Sequence, residues 1–339
     1  MASSYFAVVC NSAGNSLSLY DLDAAGKLTQ LREMPLEGVG APSGAYSMTL
    51  SPDRSRLYVA FRGTPYEVLT YAIDSRAKTL TLIGRSPLAD SMAHVATDSA
   101  GRFLLSASYG GGKVSVNPIG PNGVVMAPTD TIEVAPNMHC CIPVPNSDEF
   151  FAASLGDDSV LKFRFDAAGK LTRLPARAEA AAGSDPRHFV FHPSMRWGYL
   201  VTQTTAVVDI FGFDGSVLTD KPLQSISILP PNWQGQGWAA DIRITPDGRF
   251  LYASDRNANS VATFAVDANS GRLTAAGHTY AAAWPRGFNL APDGKFLVAL
   301  GENSNLVDVF AIDPSTGTLD KRHTLPTGAA PSWVEVLAS

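Results

Sequence analysis

The chain contains little charge and no excess of positive charge. Only 17% of its 339 residues are charged, and 26 lysines and arginines stand against 31 aspartates and glutamates, for a net charge of −5. Proteins that bind nucleic acid through its phosphates need a basic surface. The composition therefore argues against a nucleic-acid partner. With 45% hydrophobic residues, it is typical of a folded protein with a large core.

Cysteine is also scarce. The three cysteines are Cys10, Cys140 and Cys141, and none stands in the C-x-x-C spacing of a metal site. Because adjacent cysteines rarely pair with each other, we expect three thiols in a reducing compartment. The cysteine content therefore predicts a cytoplasmic protein.

Long apolar runs are absent. No stretch of 18 apolar residues occurs, so we expect no transmembrane helix and no membrane partner. Residues 1–10 have no basic flank and lead directly into a strand, which argues against a signal peptide. The sequence also lacks a G-x-S-x-G elbow and a Walker-type phosphate loop. We expect a monomer or a weak homodimer.

The chain does have a strand pair that recurs seven times. In the clearest copies, residues 245–254 and 291–300, a Pro-Asp-Gly turn precedes an apolar strand. Repeats of this length built from short strands are typical of β-propellers. The sequence therefore predicts an all-β, seven-bladed β-propeller with four antiparallel strands per blade, in a single domain over residues 1–339. The residues that mark the second strand, 46 to 53 positions apart, are Phe6, Tyr58, Leu105, Phe151, Tyr199, Tyr252 and Val298.

The two ends of the chain complement each other. The first copy begins at Tyr5 and lacks an innermost strand, whereas residues 330–336 match the innermost strand at 185–191 and have no blade after them. We predict that the C-terminal strand completes the first blade, because this pairing removes two open sheet edges.

The repeat register places two rings of residues at one mouth of the central channel. Innermost strands begin where second strands end if the two are antiparallel neighbours. The first ring, at the start of the innermost strands, contains Tyr46, Ala93, His139, Arg187, Ala240, Arg286 and Ser332. The second ring, at the end of the second strands, contains Cys10, Arg62, Tyr109, Leu155, Gln203, Arg256 and Glu302.

Polar side chains in these rings favour recognition of an anion. The two rings hold four arginines, and arginine binds carboxylate or phosphate through two parallel hydrogen bonds. His139 is the ring residue that can exchange a proton near neutral pH. Trp238 and Trp284 precede innermost strands and are candidate pocket walls. We expect His188 and His192 to cap turns or fill packing positions.

Three segments, residues 185–193, 238–256 and 284–290, resemble the seven-bladed lactonase family. That family includes the propeller-type 6-phosphogluconolactonases of bacteria and the fungal 3-carboxy-cis,cis-muconate lactonising enzymes. The resemblance covers nearly the whole chain and implies lactone chemistry with no required metal and no other cofactor.

The resemblance also suggests individual roles. The family's histidine falls on His139, and two family arginines fall on Arg187 and Arg256. The family's glutamate falls on Gln203, which cannot serve as a general acid or base. Glu302 occupies the matching place two blades further on and is the candidate replacement.

We therefore expect a lactone hydrolase that acts on an anionic sugar-type lactone such as 6-phosphogluconolactone. His139 is the candidate general base or acid, Arg187 and Arg256 would hold the oxyanion or the substrate's carboxylate or phosphate, and Glu302 would orient water or tune His139. The expected substrate-binding residues are Arg62, Tyr109, Gln203, Arg286, Tyr46 and Trp238.

Two alternatives stay open at this stage. One is a lactone-forming or lactone-moving cycloisomerase on a muconate-type dicarboxylate, which the arginines suit equally well. The other is a non-catalytic propeller that serves as a binding scaffold. For either enzyme the partner is a small-molecule anionic lactone or dicarboxylate.

Overall fold

The computed structural model describes residues 4–339, which form seven four-stranded antiparallel sheets. The innermost strands are β4 (Ser47–Leu50), β8 (Met92–Thr97), β12 (Met138–Pro143), β16 (Pro186–Phe191), β20 (Ala239–Ile244), β24 (Pro285–Leu290) and β28 (Pro331–Ala338). The second strands are β1 (Tyr5–Asn11), β5 (Arg56–Phe61), β9 (Phe103–Ser108), β13 (Glu149–Ser154), β17 (Trp197–Thr202), β21 (Phe250–Asp255) and β25 (Phe296–Gly301).

The other two strands of each blade lie further from the channel. The third strands are β2 (Ser16–Leu22), β6 (Glu67–Asp74), β10 (Lys113–Pro118), β14 (Ser159–Phe165), β18 (Val207–Gly212), β22 (Ser260–Val266) and β26 (Leu306–Ile312). The outer strands are β3 (Leu28–Pro35), β7 (Thr79–Pro87), β11 (Asp130–Glu133), β15 (Leu171–Glu179), β19 (Gln224–Ser227), β23 (Leu273–Tyr280) and β27 (Leu319–Pro326).

The predicted seven-bladed β-propeller is confirmed, including the way in which the ring closes. β28 pairs antiparallel with β1 over the whole of β1, with Val8 opposite Glu335. Blade 1 therefore consists of β28, β1, β2 and β3, and blades 2 to 7 follow in chain order from β4. The two ends of the chain lie in one sheet, and this closure pairs the edge of β1 that would otherwise be open.

The core lies between the blades. Side chains of second and third strands are almost all buried, whereas outer strands such as β3 are mostly exposed. One buried cluster joins blade 7 to blade 1, with Phe296 and Val309 packed against Tyr20 and Val336. Each blade thus buries both of its faces, which explains why the second strands read as continuous apolar runs.

The Pro-Asp-Gly turns of blades 6 and 7 lie at the end of each blade opposite the predicted mouth. In blade 6 the amide of Gly248 donates to the carbonyl of Thr245 at 2.8 Å, and Gly248 has a φ of +75°. Glycine adopts this left-handed conformation without steric cost. The three cysteines are free and buried. Within residues 4–339 no helix is long and apolar enough to cross a membrane.

Candidate active site

Six of the seven innermost strands carry a β-bulge at the mouth. In β16 the pairing with β17 passes from Pro186–Thr202 to His188–Val201, so Arg187 is the extra residue. A bulge re-aims the extra side chain, so two consecutive residues can contact the same site. The bulge residues include the first-ring members Ala93, His139, Arg187, Ala240, Arg286 and Ser332.

Backbone hydrogen bonds tie the second ring to the first, and they repeat from blade to blade. In five of the seven blades the second-ring amide donates to the carbonyl two residues before the first-ring member of the same blade. The donors Leu155, Gln203, Arg256 and Glu302 pair in this way with Asn137, Asp185, Trp238 and Trp284. The two rings therefore meet at one mouth of the channel.

In blade 1 the second-ring position belongs to Ser12, and the assignment of Cys10 to it is wrong. The amide of Ser12 donates to Ala330 at 2.9 Å, whereas Cys10 pairs with Trp333 and is fully buried. The true marker of this strand is Val8 rather than Phe6. Because all seven residues of β1 are buried, the strand has no alternation that could fix its register.

The mouth leads into two connected spaces. The outer cavity has a volume of about 230 Å³. The inner one, further along the channel, has about 10 Å³, which is the space of a single water molecule. The outer cavity is lined by Arg62, Ala93, Tyr109, His139, Arg187, Gln203, Trp238, Arg256 and Arg286. The structure thus brings eight of the ten predicted site residues around one cavity. Tyr46 lines the inner cavity, and Glu302 lines neither.

Arg187 lies between the two cavities and is only 2% exposed. Its Nη1 donates to the carbonyl of Ala240 and lies 3.4 Å from His188 Nε2. Its Nε is buried and has no hydrogen-bond partner, and no described residue accepts a hydrogen bond from its Nη2. Burial and the nearby Arg256 hold the pKa of the guanidinium well below its usual range. A buried donor without a partner costs about 1–3 kcal/mol, so this edge is suited to an anionic ligand.

His139 borders both cavities. Its Nδ1 is buried without a hydrogen-bond partner, and its ring contacts Tyr109 and His188 at centroid distances of 6.0 and 5.0 Å. Burial and the charge of Arg187 hold the pKa of His139 well below its usual range. The imidazole is therefore neutral near pH 7 and carries the lone pair that a general base needs.

His188 lies in the channel beside His139 and does not cap a turn. It is buried and packs against the rings of His94, His139 and Trp333, as expected for a packing position, but it also has a polar partner. Its Nδ1 lies 2.8 Å from Oδ1 of Asp241, a buried carboxylate that the sequence patterns did not single out. Burial and Arg187 lower the pKa of His188 to about 4. By contrast, His192 does cap a turn, with Nδ1 2.8 Å from Ser194 Oγ. One sequence signal could have found this pair. His188 directly follows a first-ring residue, and Asp241 directly follows the first-ring residue of the next blade.

Arg256 has only neutral hydrogen-bond partners. Its Nε donates to Trp238 O at 3.0 Å, and its Nη2 donates to Gln203 Oε1 at 2.8 Å and to Ala239 O at 2.9 Å. The guanidinium also lies 5.4 and 5.6 Å from the ring centres of Trp238 and Trp284, a cation–π arrangement. Burial and Arg286 lower the pKa of Arg256 to about 9. Its charge is therefore held in place without being neutralised by a directly bonded acid.

Arg62, Arg286 and Glu302 occupy the rim. Arg62 donates from Nε to Ser91 Oγ at 3.0 Å, and burial lowers its pKa to about 10. Glu302 Oε2 lies 3.8 Å from Arg286 Nη1. Glu302 is thus an ion-pair partner of Arg286 at the rim, and its role in proton transfer remains a prediction.

The two tyrosines of the predicted site differ in exposure. Tyr109 is 37% exposed at the rim and stands edge-on to His139. Tyr46 is buried, and its hydroxyl donates to Asn15 Oδ1. The ring of Tyr46 therefore contributes a wall of the inner cavity, while its hydroxyl already has a protein partner.

A further acid, Glu335, lies deeper in the channel. It accepts hydrogen bonds from Trp333 Nε1 at 2.9 Å and from Asn289 Nδ2 at 3.1 Å. Burial raises the pKa of Glu335 to about 7. This carboxyl group is therefore protonated in part near neutral pH.

The electrostatics of the site favour an anion. Four guanidinium groups surround the outer cavity, and Glu302 is the acid paired with one of them. Asp241 is matched separately by Arg243, whose Nη1 lies 2.8 Å from its Oδ1. Within residues 4–339 no group of three or more His, Cys, Asp or Glu side chains could hold a metal ion. The side chains present can bind an oxyanion, accept a proton and exclude water.

A larger cavity of about 720 Å³ lies at the opposite end of blades 6 and 7, beside the Pro-Asp-Gly turns. Its acids are paired, Asp247 with Arg249 at 2.8 Å and Asp293 with Lys295 at 3.0 Å. Its third cation, Arg322, pairs with Asp320 at 3.1 Å. Every charge of this cavity is therefore matched, and it lacks the unpartnered donors of the channel mouth, so the smaller cavity is the better candidate for an active site.

Comparisons with known proteins agree with this picture. The family described as lactonase, 7-bladed beta-propeller, matches residues 3–336. A 6-phosphogluconolactonase of Pectobacterium carotovorum is 36% identical over 97% of this chain and 98% of its own length. One of Yersinia pestis is 36% identical over 82% of this chain and 81% of its own length. A solved structure, the periplasmic gluconolactonase of Pseudomonas aeruginosa, has a TM-score of 0.87 and 28% identity, with 99% of each chain covered. The chain therefore belongs to the seven-bladed β-propeller lactonase family, as its motifs predicted.

Proposed function

We propose that this protein hydrolyses an anionic sugar-type lactone, with 6-phosphogluconolactone as the first candidate. The observation that carries the proposal is the unpartnered Nε–Nη2 edge of Arg187, which borders a cavity with a surplus of positive charge. The relatives named 6-phosphogluconolactonase and gluconolactonase support the same reaction class. Neither the cycloisomerase nor the scaffold alternative gains support from them.

The reaction begins with His139 as the general base. The neutral imidazole removes a proton from water while the water oxygen attacks the lactone carbonyl carbon. Arg187 donates from its Nε–Nη2 edge to the oxygen that becomes negative in the tetrahedral intermediate and to the oxygen added from water. The ring C–O bond then breaks, and protonated His139 returns the proton to the departing ring oxygen. The low pKa of His139 makes its protonated form a strong acid for this last transfer.

The remaining arginines would give the site a preference for an anionic substrate. Arg62, Arg256 and Arg286 line the same cavity as Arg187 and would hold a phosphate or carboxylate. A general base contributes about 10²- to 10⁴-fold and an oxyanion clamp about 10²- to 10³-fold. These factors suffice because sugar lactones already open in water.

We also propose that the chain acts as a single domain. The cytoplasmic location is likewise a proposal, supported by the three free thiols.

A lactone panel tests the proposal. Proton release is followed with 6-phosphogluconolactone, plain glucono-δ-lactone and a muconolactone, and the diene absorbance of the muconolactone reaction is recorded in parallel. We expect proton release that is fastest with the phosphorylated lactone. A reaction that appears only as a change in diene absorbance would contradict the proposal.

Arg187→Lys tests the role of the two-donor edge. The variant keeps the charge but loses the planar fork, so kcat/KM should fall by about 100-fold, the effect of losing an oxyanion donor. Arg249→Lys, on the opposite face, is the matched control and should have no effect. Unchanged kcat/KM in Arg187→Lys would remove this residue from the site.

A further inference from the structure

His188 and Asp241 touch the active-site cluster, but the proposed reaction does not use them. His188 Nε2 lies 3.4 Å from Arg187 Nη1, and His188 Nδ1 lies 2.8 Å from Asp241 Oδ1. We propose that this pair is a positioning device that turns the Nε–Nη2 edge of Arg187 towards the cavity. The inference rests on the proposed function in so far as that edge is the oxyanion clamp.

The contact with Arg187 fixes the tautomer of His188. A guanidinium has only donors, so His188 Nε2 must accept from Arg187 and cannot carry a proton. Nδ1 then carries the proton and donates it to Asp241. The imidazole thus transmits the position of the carboxylate to the guanidinium, as an oriented histidine does in catalytic triads.

Asp241 is well suited to anchor this arrangement, because it is itself held from several directions. Its Oδ1 also accepts from Arg243 Nη1 at 2.8 Å and from the amide of Ile242 at 2.9 Å. Its Oδ2 lies 3.3 Å from the amide of Phe288 in blade 7. Asp241 is 1% exposed. Four donors from blades 5, 6 and 7 therefore fix one carboxylate in the channel.

As a result, the three guanidinium nitrogens of Arg187 fall into two groups, one bonded within the protein and the other free for a ligand. Nη1 is committed to Ala240 O and His188 Nε2, which both lie on the inner side. Nε and Nη2 are left together on one edge, and that edge matches a pair of oxygens held in one plane. In lactone hydrolysis such a pair forms when water adds, since the carbon then carries the oxyanion and the new hydroxyl. The same two oxygens become the product carboxylate.

The bulge in β16 makes the device possible. In a regular strand, Arg187 and His188 would point to opposite faces. The extra residue at Arg187 lets both side chains reach the channel. A second bulge at Ala240 and Asp241 does the same for the two acceptors in blade 6. The carbonyl and the carboxylate that hold Arg187, directly and through His188, therefore come from neighbouring residues of one strand.

The first experiment is a double-mutant cycle in kcat/KM for 6-phosphogluconolactone, with melting temperatures measured alongside. His188→Phe keeps a ring but removes both hydrogen bonds, and we expect kcat/KM to fall about 10- to 100-fold. At 1.4 kcal/mol per factor of ten, this is a loss of about 1.4–2.8 kcal/mol of transition-state stabilisation. In the Arg187→Lys background the same substitution should cost little more, since the two residues act as a unit. Additive losses would overturn the inference. His192→Phe removes another histidine at the far end of the same blade and should leave kcat/KM unchanged.

Two further variants keep the test valid if His188→Phe does not fold. His188→Gln places an amide oxygen near the position of Nε2, so it should recover part of the activity that His188→Phe loses. If His188→Phe does not fold, His188→Gln and His188→Asn replace it. The asparagine keeps the donor to Asp241 but lacks the acceptor for Arg187. Asparagine as active as glutamine would contradict the proposed contact.

Nitrogen-15 NMR of the histidine side chains separates this inference from the proposed function, because it needs no activity. In the wild-type protein at neutral pH we expect His188 as the neutral tautomer with the proton on Nδ1. If no lactone is hydrolysed but this tautomer is found, the proposed function fails and the positioning pair stands. If lactones are hydrolysed but the proton sits on Nε2, the positioning pair is overturned and the proposed function stands.

Discussion

Gln203→Glu places a carboxylate against the buried guanidinium of Arg256, which now bonds only to neutral oxygens. The wild-type contact joins Arg256 Nη2 to Gln203 Oε1 at 2.8 Å, and Gln203 is 8% exposed at the wall of the cavity. The substitution keeps the size of the side chain and an acceptor in the same place. It adds one negative charge to a cavity whose four arginines face one acid.

The size of the effect follows from Coulomb's law. At a separation of about 6 Å and an effective dielectric constant of about 40, one pair of unit charges is worth about 1.4 kcal/mol. A phosphate that carries about 1.5 to 2 negative charges therefore loses about 2–3 kcal/mol of attraction, or about 30- to 100-fold. A neutral lactone loses almost nothing. The new ion pair should also raise the melting temperature by about 1–2 °C for each 1 kcal/mol gained, given about 2.1 cal/mol/K per residue.

The assay is the ratio of kcat/KM for 6-phosphogluconolactone to that for glucono-δ-lactone. An effect on the chemical step that both substrates share cancels in this ratio, so the ratio reports charge recognition. We expect it to fall about 30- to 100-fold in Gln203→Glu. Gln203→Met removes the hydrogen bond without adding charge and should leave the ratio unchanged. A constant or increased ratio in Gln203→Glu would refute the electrostatic reasoning, and a higher kcat with both substrates would instead mark position 203 as a site for a catalytic acid.

Three other predictions test the closure, the proposed acid and the deep carboxyl group. Deletion from Ala330 onward removes four buried hydrophobic core side chains of β28, Trp333, Val334, Val336 and Leu337, worth about 6–12 kcal/mol, so the truncated chain should aggregate or melt far below the full one in circular dichroism. A variant lacking only Ser339 is the control, and equal melting of the long truncation would contradict the closure. If Glu302 handles a proton, Glu302→Gln should lower kcat far more than it raises KM. A lower KM for the phosphorylated lactone at unchanged kcat would instead indicate an ion-pair role beside Arg286. Burial raises the pKa of Glu335 to about 7 in the folded protein, so its stabilising contribution is full below about pH 4.5 and is lost as the pH rises through about 7, by up to about 3 kcal/mol. Urea unfolding of Glu335→Gln should show a flatter pH profile over this window, and parallel profiles would rule the effect out.

The sequence determined the architecture because the repeat is local. A Pro-Asp-Gly turn fixes the φ angles of its own residues, and each apolar second strand needs two buried faces wherever it occurs. The Pro-Asp-Gly turn occurs in two copies, but the strand pair itself recurs seven times, which leaves few alternatives to a ring of blades. The closure was predictable because residues 330–336 match an innermost strand but no blade follows them, while the first strand lacks an innermost neighbour. Pairing the two strands leaves neither without a partner. The same register brought Arg62, His139, Arg187 and Arg256 to one mouth.

The tertiary structure decided which atoms of these residues are free. Sequence spacing assumes the regular alternation of a strand, and the bulges at Arg187 and Ala240 break that alternation. His188 was expected to cap a turn or fill a packing position, whereas it lies between Arg187 and Asp241. In β1 every side chain is buried, so the sequence pattern did not define the register of this strand. The second-ring position was therefore assigned to Cys10, whereas in the structure it belongs to Ser12.

The difference has a physical reason. Turn chemistry and burial act within a few residues, so they can be read along the chain. The partners of a guanidinium come in part from the neighbouring blade, since Arg187 bonds to Ala240 O and Arg256 bonds to Gln203 Oε1, each 53 residues away in the sequence. The packing of neighbouring blades decides which donors of Arg187 are bonded and which are free, and it gives Arg256 its neutral partners. No local sequence pattern encodes these contacts.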